Sequence, residues 1–178
     1  MNGDCMAKSD HKTVVICDAG PIIHLDELDS LDLLAGFSSL LIPKAVQVEI
    51  SRHRSGTMQH PAVDFKFIDV VSPVEPKLLA LSKVLSLDKG ELECLSLMHE
   101  NPDSIFLTDD AAARLTGEEL GYRVHGTIGI ILRAIRQKIR TPKEVLKLLN
   151  ELPTKTTLFV RLTLLKDIIQ KVEDEYRV

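Results

Sequence analysis

Two short apolar runs, each closed by acid, limit what this chain can fold into more than any other feature. Thr13-Val-Val-Ile-Cys17 ends at Asp18, and Ser104-Ile-Phe-Leu-Thr108 ends at Asp109-Asp110. Continuous apolar segments of this length, rich in β-branched residues and without polar alternation, read as strands buried on both faces. Such a sheet needs helices above and below it. The stretch between the runs offers them: Ile22 to Phe37 alternates Leu and Ile with Asp and Glu at helical spacing, and Gly36 supplies a stop.

The alternation continues along the chain. Ala19-Gly-Pro21 reads as a turn, Leu40-Leu-Ile42 as a strand, and Pro43 to about Arg52 as a helix with proline at its first residue. Residues 51–64, with Ser55-Gly56 and His60-Pro61, read as a loop. Phe65 to Val71 suits a strand and Glu75 to Leu85 a helix, while Asp88 opens another helix that ends near Asn101-Pro102. A helix from Ala111 stops at Gly121, Tyr122-Arg-Val124 is a strand, and Gly126-Thr127 starts a helix to about Ile139. Pro142 to Asn150 and Leu158 to Tyr176 read as two further helices. Strands separated by helices imply parallel pairing through right-handed crossovers. The expected fold is therefore α/β, a three-layer α/β/α sandwich around a central, mostly parallel sheet, with extra C-terminal helices. Residues 1–12 form a polar leader, 13–139 the main domain, and 140–178 a helical extension packed on it.

Composition excludes several classes. With 178 residues the chain can bury roughly two thirds of its unfolded surface and needs no staple. Cys5, Cys17 and Cys94 are odd in number and lack zinc-ligand spacing, so free thiols in a reducing cytoplasm are expected. No apolar run is long enough to span a bilayer. A net charge of −4 argues against coating nucleic acid by bulk electrostatics, and 4% aromatic residues without tryptophan argue against a base-stacking platform.

In open α/β sheets the site lies beyond the carboxyl ends of the strands, where Asp18, Asp109 and Asp110 stand. Each could equally cap the helix that follows. Glu49 shares a helical face with Ala45, Val46 and Ile50, and Glu91 shares one with Leu87, Cys94, Leu95 and Met98, so two helices turn a carboxylate toward the sheet. Glu93 falls on the opposite, polar side with Lys89, Ser96 and Glu100. The competing readings are that Glu49 lies at the edge of its stripe, and that Asp88-Lys-Gly-Glu91 is a capping box. Carboxylates buried together raise one another's pKa and oppose folding, a cost that divalent cations remove. Oxygen ligands without Cys or His favour Mg²⁺ or Mn²⁺, and such sites suit phosphodiester hydrolysis.

Five motifs stand in a recognisable order: Val15-Ile-Cys-Asp18-Ala-Gly-Pro-Ile-Ile23, Leu41-Ile-Pro43 leading to Val46-Gln-Val-Glu49-Ile50, Gly90-Glu91, Leu107-Thr-Asp-Asp110 with Arg114, and Gly121-Tyr-Arg-Val-His-Gly-Thr127-Ile-Gly-Ile130. Over residues 13–139 the chain resembles the PIN-domain nucleases, most closely a prokaryotic branch of PIN-like proteins related to toxins of VapC type. The resemblance implies a Mg²⁺- or Mn²⁺-dependent endoribonuclease with Asp18, Glu49, Glu91 and Asp110 as its acidic quartet and Asp109 as an accessory or alternative ligand. It also implies a homodimer and a small antitoxin partner. Ala19 stands where many PIN domains carry Ser or Thr, and Glu91 where Asp is commoner.

On this reading Asp18 and Asp110 hold the principal metal, Glu91 helps hold it or a second ion, and Glu49 orients the attacking water. Thr127 could meet phosphate with its hydroxyl and amide, or simply cap its helix. Arg133, Arg136 and Arg140, along one helical face near Lys138, could guide the RNA backbone or form a solvated helix end. His24, His53 and His60 have no ligand spacing and are expected in loops or at helix edges. Leu164, Leu165 and Ile168 could pack on the core or serve a dimer. A receiver-like or dehalogenase-like phosphotransfer protein would also place aspartates at strand ends, but Asp18-Ala-Gly lacks the Asp-x-Asp of the latter, and no lysine follows a later strand in the expected setting. A non-catalytic binding module with the same fold is the other alternative.

Overall fold

Val15, Ile16 and Cys17 have no exposed surface, so the first run lies at the middle of the sheet as β1 (Val14–Cys17). A computed structural model describes residues 14–54, 56–70 and 75–177. The expected leader 1–12 with Cys5, the turn residue Ser55, and the strand-end residues Thr13 and Val71 lie outside the described residues. β1 is flanked by β2 (Ser39–Pro43) and β4 (Ile105–Leu107), with β3 (Phe65–Ile68) and β5 (Arg123–His125) at the edges. Every pairing among the described strands is parallel, in the order β3-β2-β1-β4-β5. Cys17 pairs with Leu107, so Asp18 and Thr108 leave neighbouring strands at the same level.

Helices cover both faces. On one side α1 (Ala19–Glu27) packs against α6 (Thr127–Arg136). On the other, α4 (Lys89–Glu100) lies across β1, β2 and β4 beside α5 (Ala111–Glu119). Between these, α2 (Lys44–His53) touches both α1 and α4, and α3 (Pro76–Leu85) packs on α4. The three-layer sandwich follows. Then α7 (Pro142–Lys155) packs on α6 and α8 (Leu162–Tyr176) on α7. Val145, Leu149, Leu152, Leu165 and Val172 are buried in the same core as the strands. Burying a side chain of this size contributes about 1.5–3 kcal/mol, so the two C-terminal helices supply part of the core's stability. Among the described residues no helix is long and apolar enough to cross a membrane.

Several boundaries differ from the sequence expectation. Ala19-Gly-Pro21 is the first turn of α1 rather than a separate turn, because proline lacks only an amide that a first turn leaves unpaired. The region from Ile22 to Phe37, expected as one or two short helices, is two, divided at left-handed Asp29, and only the 3₁₀ form of the second, over Leu31–Gly36, is new. Lys138 is also left-handed, so α6 stops at Arg136 instead of Ile139 and Arg140 is not on it. Pro153 lies within the last turn of α7, which runs five residues past Asn150. Residues Leu158 to Arg161 are in neither helix nor strand, and α8 starts at Leu162.

Candidate active site

Asp18 follows Val15 to Cys17, which have no exposed surface, and is itself only 7% exposed. It stands at the N-cap position of α1, but its side chain makes no cap bond. Instead Asp18 Oδ2 accepts a hydrogen bond from Thr108 Oγ1 at 3.0 Å. Burial pushes the carboxyl up to about 6; the Ala19 amide and the Thr108 hydroxyl oppose the rise, and Glu49 and Asp88 add to it.

Asp110, one strand away, is exposed and caps α5, with Oδ1 accepting from the amides of Ala112 at 2.7 Å and Ala113 at 2.8 Å. Its own amide donates to Thr108 Oγ1 at 3.1 Å. Glu91 reaches the same edge from α4. There the expected capping box is complete: Asp88 Oδ1 accepts from the Glu91 amide and Glu91 Oε2 from the Asp88 amide, both at 2.8 Å. Glu91 is nonetheless buried, and burial pushes it up to about 7, opposed by the Asp88 amide and reinforced by Asp110, Asp88 and Asp18. Capping and electrostatic coupling occur in one side chain.

Glu49 lies at the rim of its helical stripe, not along it: the residue is exposed, while Val46 and Ile50 face the core. Its carboxyl end is sheltered enough for desolvation to raise it, with Asp88 adding to the rise and Arg52 opposing it. Gly90 lets α4 lie close on α2, since a Cβ there would stand 3.1 Å from Val46 Cγ2, whereas Glu49 Oε2 at 3.8 Å would be in ordinary contact. Glu93 is a correction. It does not face water but accepts from the Ala45 amide at 3.1 Å, because the expected polar side of α4 is covered by α2.

Asp109 turns away from the other acids. Successive side chains of an extended segment point to opposite faces, so Asp109 faces the α1–α6 side while Thr108 and Asp110 face Asp18. There its carboxylate is fully engaged: Oδ2 meets His24 Nδ1 at 2.8 Å and the Thr127 hydroxyl at 2.6 Å, and Oδ1 accepts from the Thr127 amide at 2.8 Å. Three expectations change together. Asp109 is not gathered with the acid edge, Thr127 has its hydroxyl and amide turned to Asp109 rather than to solvent, and His24 is a buried helix residue. Arg133 and Arg136 also stand apart. α6 runs from Thr127, at the carboxyl end of the sheet, down to Arg133, whose guanidinium donates to the Gly36 carbonyl and lies 4.2 Å over the Phe37 ring, just before β2 begins. Arg140 pairs with Asp32.

Sequence reasoning overlooked Asp88 and Thr108 as members of the site. Asp88 was legible only as a cap, yet its charge acts on Asp18, Glu49 and Glu91. For Thr108 the signal was present: two residues before Asp110, its side chain shares that residue's face.

The donor set at this edge is carboxylate oxygen alone, which suits Mg²⁺ or Mn²⁺. Buried acids held above their ordinary range are the electrostatic condition that a cation relieves. Among the described residues no three His, Cys, Asp or Glu side chains are already drawn together around one point. Glu91 and Asp110 each have an oxygen turned to a backbone amide, and the second oxygen of each remains to ligate.

Against known families, the model of the family described as DUF3368: PIN domain matches residues 14–174. No curated protein matches the chain.

Proposed function

This chain belongs to the PIN-domain family, whose fold is of the nuclease type, and from that premise we propose that it is a metal-dependent endoribonuclease. The observation that carries the reading is the β1–β4 register, which sets Asp18 beside Thr108 and Asp110, at an edge that Glu91 reaches from α4. A bound Mg²⁺ or Mn²⁺ would supply a hydroxide-like nucleophile and steady the leaving oxygen. Asp18, with the second oxygens of Asp110 and Glu91, would hold it. Thr108 keeps Asp18 in place, and Glu49, on the solvent side, orients the attacking water by accepting its hydrogen bond. Asp88 fixes the first turn of α4 and so the direction of Glu91.

The test is cleavage of a mixed pool of structured and single-stranded RNA with Mn²⁺, Mg²⁺ or EDTA, beside Asp18→Asn. Metal-dependent cutting that disappears in Asp18→Asn supports the reading, and equal cutting by the variant refutes it. Work as the toxin of a toxin–antitoxin pair, with a small antitoxin partner, a homodimeric state and a cytoplasmic location, belongs to the same proposal. A second reading, an inert binding module of the same fold, draws on the two acids engaged with backbone amides. Weak Mn²⁺ binding together with no cutting would favour it.

A further inference from the structure

A groove of about 820 Å³ runs along the β5 edge between α5, the start of α6 and the segment that joins α7 to α8. It opens at Ala111, next to Asp110, so it is continuous with the acid edge, and its floor is apolar: Ile128, Leu158 and Leu164. The charged lining consists of Asp109, Arg114, Glu118, His125 and Arg161. Asp109 is already saturated by His24 and Thr127, and Glu118 answers Arg114 only at 3.8 Å on a partly exposed rim. Arg161 is exposed and pairs with no carboxylate among the described residues.

The His125 end is guanidinium-rich. Burial holds that imidazole below its usual range, and Arg114, Arg136 and Arg123 lower it further. Arg114 and Arg161 line this groove beside the acid edge, while Arg123 and Arg136 reach His125 from outside it. At the mouth stands Phe159, 89% exposed between α7 and α8, in a chain with five Phe, two Tyr and no Trp.

We propose that this groove carries the single-stranded RNA flanking the bond to be cut, with phosphates on Arg114 and Arg161 and a base laid on Phe159. The proposal rests on the ribonuclease reading above. A single strand offers apolar base faces and one charge per phosphate, matching an apolar floor beneath a guanidinium rim. A duplex hides its base faces, so the groove selects unpaired RNA. Arg114 stands one helical turn from the Asp110 cap, about 6 Å along the axis, which joins the groove to the cutting edge.

The experiment measures fluorescence anisotropy of a short labelled single-stranded RNA and of its duplex, with Mn²⁺. It uses the Asp18→Asn background, with the RNA run on a denaturing gel after each titration to verify that it is intact. Phe159→Ala and Arg161→Glu alter exposed side chains and remove no core packing, and Lys143→Glu on α7 is the charge control. The expected result is single-strand binding weakened about tenfold by Phe159→Ala, and at least as much by Arg161→Glu. Arg161→Glu should also lower the slope of log affinity against log salt by about 0.7, and the control should bind like its background. Equal affinity in all variants, tighter binding of duplex, or no RNA binding overturns the proposal. A Phe159→Ala change that alters the sedimenting mass instead makes the groove a contact with a second copy and overturns it too. RNA that binds through the groove yet is not cut by the parent chain leaves the groove standing and removes the nuclease.

Discussion

The hydroxyl of Thr108 donates to Asp18 Oδ2 at 3.0 Å and accepts from the Asp110 amide at 3.1 Å, so one fully buried side chain fixes both strand-end acids. Thr108→Val keeps the shape and removes both bonds. Leaving buried polar groups unpaired costs about 1–3 kcal/mol each, so urea unfolding should show a loss of about 2–6 kcal/mol for the two. RNA cleavage should fall at least tenfold, with Thr108→Ser recovering most of it. Full activity in Thr108→Val would separate Asp18 from the proposed chemistry.

Asp18 and Glu91 are held at about 6 and about 7, above ordinary carboxylates, so the folded chain binds more protons than the unfolded one between about pH 4 and 7. Their contribution to stability is therefore lost as pH rises through that window. For Asp18, moving from 3.8 to about 6 at about 1.36 kcal/mol per unit sets an upper figure of about 3 kcal/mol. Without metal at pH 7.5, Asp18→Asn should melt several degrees above the parent, and Mn²⁺ should raise the parent more than the variant. A parent whose metal-free melting temperature rises from pH 5 to 7.5 would contradict this electrostatic picture.

Asp109 and Asp110 are adjacent in sequence but should differ in effect. Asp110→Asn keeps a good helix cap, so stability should change by less than about 1 kcal/mol while Mn²⁺ binding and cleavage fall. Asp109→Asn disturbs the bonds to His24 and Thr127 that join α1 to α6, so stability should fall more than Mn²⁺ affinity. Titration calorimetry alongside thermal melts decides between them, and the reverse pattern would make Asp109 the ligand.

Gly126→Ala would place a Cβ 2.5 Å from Asp109 Oδ1 and 3.2 Å from the Thr108 carbonyl. Backbone at that distance cannot yield as a side chain can, so destabilisation of about 1–3 kcal/mol is expected. Gly56→Ala, with nothing within 4 Å, is the comparison and should be close to neutral. Equal melting temperatures for the two would show that the α6 start yields easily.

The strands were the most readable part of this chain, because Val15 to Cys17 and Phe106-Leu107 are wholly buried and carry no polar alternation to confuse them. Asp18, Glu91 and Asp110 were legible by their place at strand or helix ends. What local pattern could not convey was the destination of each side chain. Glu93 reads as solvent-facing until α2 is laid over α4, and His24 reads as an idle histidine until the β4 exit delivers Asp109 to it. The end of α6 was misread because left-handed Lys138 carries no glycine to announce it. Arg133 misled for a related reason, since its partner Gly36 lies far away in the chain.

Asp88, Glu91 and Asp110 all form part of helix caps, whereas Asp18 makes no side-chain cap bond. That difference bears on how descendants of such a chain would age. A lineage that stopped cutting RNA would still be selected to retain the three capping acids, because its helices begin on them. At Asp18 the chemistry opposes loss of the charge while the Thr108 bond needs only an acceptor, so relaxed selection would favour a neutral residue such as Asn that keeps the bond and relieves the buried charge. Within this family, the residue aligned with Asp18 should thus separate working enzymes from retired ones better than a count of acids.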